Sequence, residues 1–159
     1  MKQRELSRWL KAITIILAVC TILACVYIVP SQGKLAAARV PEYAKIYLPA
    51  LIFVEVTFIP VFVSLILVWQ IFSDIGRDNS FSRKNAARLR VISRLALFDT
   101  LLYLLVAVLI IIVNALTPGI ILLLLAVLFI GTCSTVASAA FSHLTYKAAA
   151  LKDESDLTI

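Results

Sequence analysis

Four apolar runs, residues 12–29, 46–72, 95–115 and 120–141, hold only two charged side chains between them, Glu55 and Asp99. Each run is close to or above the ~20 residues that an α-helix needs to cross about 30 Å of hydrocarbon. Lipid offers a backbone no hydrogen bonds, so each segment has to satisfy its own N–H and C=O groups, which a helix does. The expected fold is therefore an all-α integral membrane protein, a four-transmembrane-helix bundle in one domain covering residues 1–159. A soluble reading fails on its surface. Charged residues make up 15% of the chain and hydrophobic ones 62%, where soluble domains carry roughly 25% charged residues.

The first run follows a basic leader, Lys2, Arg4, Arg8 and Lys11, as a signal peptide would. Its apolar core is longer than a signal peptide's usual one, and more membrane protein follows, so it reads as an uncleaved first span. Orientation follows from the basic residues. Twelve of the fifteen Lys and Arg fall on the leader, the loop 73–94 and the tail 143–159; the other three are Lys34, Arg39 and Lys45. The side richer in Lys and Arg is the cytoplasmic one. Both termini are expected in the cytoplasm, with the protein in the membrane that bounds it.

Along the chain, Trp9 and Tyr27 sit where aromatic residues anchor a span at the interface. Pro30 is expected to end the first helix. Pro49 falls in the first turn of the second, where a missing N–H is harmless, whereas Pro60 lies mid-span and should kink it. The longest polar interruption runs from Asp74 to Arg94, with six basic residues against two acidic ones. Ser80 or Ser82 suits an N-cap there. The helix beginning near Arg83 should lie first at the membrane surface, feel anionic lipid, and then enter the third span. Leu116-Thr-Pro-Gly119 reads as a tight turn. Gly131, Thr135 and Ala139 form a small-xxx-small series, the pattern that lets membrane helices approach closely.

The chemistry the chain can carry is narrow. Cys20, Cys25 and Cys133 lie in apolar runs without metal-ligand spacing and read as small packing residues. His143, the lone histidine, has no second ligand near it in sequence. The zinc-protease, phosphate-loop and dinucleotide patterns are absent. The chain is expected to be no enzyme and to need no cofactor or metal. Glu55, Asp99 and Asn114 are the intramembrane polar candidates, since an acid in a bilayer usually faces protein or water. Each acid can be structural, held by hydrogen bonds or ion pairs, or part of a route for protons or cations. A carrier of only four spans would have to form a homo-oligomer to enclose a path.

The segment Asp78-Asn-Ser-Phe-Ser-Arg-Lys-Asn-Ala-Ala-Arg-Leu-Arg90 resembles a bacterial family of small four-span membrane proteins, DUF2975. Members show a Pro/Ser-Phe-x-x-x-Asn element entering the third span, matched here by Phe81 and Asn85, with Ser80 where many have Pro. The ending Lys152-Asp-Glu-Ser-Asp-Leu-Thr-Ile159 is similar to the family's acidic tails. The resemblance implies no catalytic activity. It implies an association with a small helix-turn-helix regulator often encoded beside members of the family.

The function expected from residues and resemblance together is a membrane-anchored interaction protein holding such a regulator at its cytoplasmic face. Its candidate contact residues are Phe81, Arg83, Lys84, Asn85, Arg88, Arg90 and Arg94 of the loop and Asp153, Glu154, Asp156, Leu157 and Ile159 of the tail. The tail can instead fold back on Arg88, Arg90 and Arg94 of its own chain, or be disordered. Direct nucleic-acid binding is not expected, because the loop is short and lacks a recognition fold. The alternative is a small oligomeric carrier or channel for protons, cations or lipophilic compounds, using Glu55 or Asp99.

Overall fold

A computed structural model describes residues 3–39, 44–112 and 117–156. Asn114, Leu157 and Ile159 lie outside the described residues, as does the side chain of Asp156. The described chain is all helix and turn. Four stretches are long and apolar enough to cross a membrane: Gln3–Arg39, Tyr47–Ile75, Arg83–Ile112 and Pro118–Ser155. The chain divides into two compact units, Met1–Gly76 and Arg77–Ile159.

In the first unit, α1 (Gln3–Leu23) runs through a π turn (Ala24–Ile28) into α2 (Val29–Arg39), and α3 spans Tyr47–Ile75. Pro30 therefore does not end the first helix, contrary to the sequence expectation. The Val29 N–H bonds the Ala24 carbonyl, one residue further back than in an α-helix. That widened turn leaves room for the Pro30 ring, which would otherwise press on the preceding turn. α1 and α2 run antiparallel to α3. Ser7 donates to the Phe72 carbonyl at 2.5 Å, Lys11 lies 5.2 Å from the centre of the Trp69 ring, Cys25 meets Glu55, and Tyr47 donates to the Pro30 carbonyl at 3.4 Å. Partner numbers on α3 fall as those on α1 and α2 rise. Pro60 sits inside α3, which remains helical on both sides of it.

The second unit is a hairpin of α4 (Arg83–Ile112) and α5 (Pro118–Asp156). α4 is one unbroken helix from the basic turn into the apolar run, with no separate surface helix. Pro118 and Gly119 are the first two residues of α5 and not its preceding turn. Proline's fixed φ and missing N–H suit a first helical position. Thr117 closes that end, its hydroxyl accepting the Ile120 N–H at 3.4 Å and its carbonyl the Ile121 N–H at 3.0 Å. His143 and the stretch to Asp156 belong to the same helix.

Buried and half-buried positions mark where the hairpin zips. They recur on α4 at Ala86, Leu89, Ser93, Ala96, Thr100 and Tyr103, and on α5 at Leu124, Leu128, Gly131, Thr135, Ser138, Ser142, Thr145 and Ala149. The alternation of three and four is the repeat of a coiled-coil seam. Gly131 makes room for Thr100: a Cβ there would collide with the Thr100 hydroxyl. Ser93 donates to the Thr135 carbonyl at 3.0 Å and Ser142 to the Ala86 carbonyl at 2.8 Å. Ala139 is exposed and stands off this seam. A strict i+4 series gains about 40° per step, so after two steps it leaves a line that a 3.5-residue repeat follows. Ser138 and Ser142 take the next places instead.

Candidate functional site

The basic turn is built around one buried amide. Asp78 adopts a left-handed backbone, φ 61°, a conformation that Asp and Asn enter more readily than most residues. The chain can thus reverse without glycine. Ser82 then caps α4, its hydroxyl accepting the Asn85 N–H at 3.2 Å and its carbonyl the Ala86 N–H at 3.0 Å. Asn85 is 1% exposed. Its amide nitrogen donates to the carbonyls of Asn79 and Ser80, each at 3.2 Å, and its oxygen accepts from Arg88 at 2.7 Å. The side chain meets backbone groups that no helix partner satisfies and fixes the turn against the start of α4.

This network keeps Asn85 inside and turns Phe81 outward, where it is 59% exposed. Arg83, Lys84, Arg90 and Arg94 are exposed beside it, and Arg88 is half-buried. On α5, Asp153 bridges to Arg83 at 3.0 Å with both side chains largely in solvent. Glu154 is exposed next to it. The described part of the acidic tail is thus helical, and Asp153 lies against Arg83 and not against Arg90 or Arg94. The candidates Arg83 and Asp153 come together, as do Asn85 and Arg88.

The intramembrane acids have different surroundings. Glu55, on α3, is half-buried and accepts the Cys25 thiol from the π turn. Thr57 is buried two residues further on, with its hydroxyl on the Val54 carbonyl at 2.8 Å. Asp99 is half-buried on α4 beside the seam residue Thr100. Its Oδ1 is shielded from solvent and has no hydrogen-bond partner among the described residues. No group of three or more His, Cys, Asp or Glu able to hold a metal occurs among the described residues.

Sequence reasoning does not single out Ser7, Ser93, Thr100 or Ser142, and it reads Cys25 as a packing residue where the structure has its thiol on Glu55. A lone polar residue in an apolar run does not reveal which carbonyl or carboxylate it meets. The available signal was the 3–4 alternation of small and hydroxyl residues on the last span. It names a face of that helix but not the partners on the other.

Residues 31–159 match the family model described as "Protein of unknown function (DUF2975)". A relative described as "Uncharacterized membrane protein YoaS", from Bacillus subtilis (strain 168), is 25% identical over 153 residues, covering 95% of this chain and 96% of its own. No solved structure matches significantly.

Proposed function

This chain belongs to the DUF2975 family of small multi-span bacterial membrane proteins, and on that premise we propose that it is a non-enzymatic, membrane-anchored interaction protein. Both termini lie in the cytoplasm in this reading, which the distribution of Lys and Arg supports. The observation that carries the reading is the polar end of the second hairpin. α5 has 39 residues, about 58 Å at 1.5 Å per residue, against about 30 Å of hydrocarbon. Its last turns and the first turns of α4 therefore stand in water as a charged two-helix stalk, with Phe81 exposed at its tip.

The partner is a small DNA-binding regulator of helix-turn-helix type, the kind the family resemblance implies. Its basic surface suits Asp153, Glu154 and Asp156, and an apolar patch on it suits Phe81 and, past the helix, Leu157 and Ile159. Arg83 then exchanges Asp153 for the partner. Affinity capture of the full-length protein, of Phe81→Ala, and of a chain truncated after Leu151 tests this, with occupancy of the regulator's promoter measured in each strain. Full length should retain the regulator and both altered chains should lose it. Equal capture by all three removes stalk and tail from the mechanism, and no regulator in any sample removes the function.

The second reading is an oligomeric carrier, favoured by the unpartnered Oδ1 of Asp99. It requires proton or cation flux in proteoliposomes that Asp99→Asn or Glu55→Gln abolishes. Absence of flux with the unaltered protein ends that reading.

A further inference from the structure

We propose that the first hairpin holds an anionic phospholipid, one acyl chain lying between α1 and α3 and the phosphate resting on Arg4, Arg8 and Lys11. A groove of about 240 Å³ opens there, walled by Thr14 and Ala18 of α1 and Phe62, Leu65 and Trp69 of α3. The hydroxyl of Thr14 is turned onto the Leu10 carbonyl at 2.9 Å, so the groove presents hydrocarbon almost throughout. Hydrocarbon is what an acyl chain needs and what a water-filled path does not.

Charge chooses among lipids. Arg4, Arg8 and Lys11 precede Ile15 and Ala18 at spacings of four, three, four and three, which keeps all five on one side of α1. The basic stripe therefore continues straight into the groove. Lys11 marks the junction, its ammonium over the Trp69 ring at 5.2 Å. Among the described residues of α1 and α3 at this end, the acids are Glu5 and Asp74. Glu5, exposed, is one residue beyond Arg4, and Asp74 is a turn beyond Trp69. A net positive mouth above an apolar slot fits a headgroup of net negative charge and a single chain, and disfavours a zwitterionic lipid.

The two tryptophans, Trp9 and Trp69, make the test direct. Trp9→Phe leaves Trp69 as the reporter in vesicles of phosphatidylcholine carrying a small fraction of brominated phospholipid. Brominated phosphatidylglycerol should quench Trp69 about fivefold more effectively than brominated phosphatidylcholine at equal mole fraction, the preference expected of one well-placed basic residue. Adding Arg4→Gln and Arg8→Gln, which leaves Lys11 on Trp69, should lower that preference clearly, to no more than what Lys11 alone supplies. Ala18→Leu, which fills the groove and leaves the charges in place, should weaken quenching by both. Equal quenching by the two lipids before any charge is removed overturns the site. So does a preference that survives Ala18→Leu, which would assign it to the surface and not the groove. Absence of quenching by either lipid also overturns it, because protein then covers Trp69.

Discussion

The two helical hairpins are of similar hydrophobicity and are held in opposite ways. The second is zipped along its length: Gly131 takes the Thr100 side chain against its backbone, Ser93 and Ser142 cross to facing carbonyls, and Asn85 locks the turn at the end. The first is clipped at its ends. Ser7 on the Phe72 carbonyl holds the basic end, where a Cβ on Gly76 would stand only 2.8 Å from the Ser7 hydroxyl. Cys25 on Glu55 and Tyr47 on the Pro30 carbonyl hold the other, and a groove lies between. Lipid drives no helices together by the hydrophobic effect, so packing and polar contacts decide how close they come. Small residues at most seam positions, from Ser93 to Thr100 on α4 and from Gly131 to Ala149 on α5, give the tight pair. Bulky Phe62, Leu65 and Trp69 facing α1 give the open one.

The largest expected effect breaks the second hairpin at its turn. Asn85→Ala leaves the Asn79 and Ser80 carbonyls without the amide that donates to them, at about 1–3 kcal/mol per orphaned group. A total loss of about 2–6 kcal/mol should appear as a lower unfolding temperature in detergent and faster amide exchange over residues 79–86. Exchange unchanged there would mean that the turn does not depend on Asn85. Next comes the same added side chain in the two hairpins. Gly131→Leu overpacks the seam and should cost about 1–3 kcal/mol, whereas Ala18→Leu enters open space and should leave thermal stability close to unchanged. Equal losses would erase the distinction between zipped and clipped.

The clips themselves are worth less. Ser142→Ala and Ser7→Ala should each cost about 0.6 kcal/mol, the average for a hydrogen bond between membrane helices. Cross-linking of single cysteines placed near either end would show whether Ser7→Ala loosens the basic end of the first hairpin more than Ser142→Ala loosens the second. The smallest effect is Asp153→Asn. An exposed ion pair contributes at most about 0.5–1 kcal/mol and is screened by salt, so unfolding temperature should barely move and any difference should vanish at high ionic strength.

The spans were legible because lipid imposes a length and a composition on every helix that crosses it. Glu55 and Asp99 stood out for the same reason, as charges in apolar runs. Their surroundings did not. Cys25 looks like any small apolar residue until the fold sets it against Glu55, and nothing near Asp99 in sequence says that its Oδ1 meets no partner among the described residues. Asn85 was visible only through the family resemblance, because its work is done on carbonyls five and six residues back. Ala139 reads as a seam residue because spacing of four suits a straight helix, whereas the seam follows 3.5. Pro30 reads as a stop because a proline does end an ordinary helix, and a π turn is not ordinary.

That π turn sets the phase of everything before it. The half-buried side of α1 runs through Lys11, Thr14, Ala18, Thr21 and Cys25 in steps of three and four. Beyond the turn it passes through Val29, Gly33 and Ala37 in steps of four, with Gly33 against the Tyr47 ring. The extra residue lets α1 and α2 show α3 the same side. Closing these five residues to ordinary pitch without losing one would rotate α2 by about 100° against α1. Gly33 would then turn from Tyr47, or Lys11 would swing away from Trp69, whereas a chain with one residue fewer between Ala24 and Ile28 would regain ordinary pitch with both halves still facing their partner.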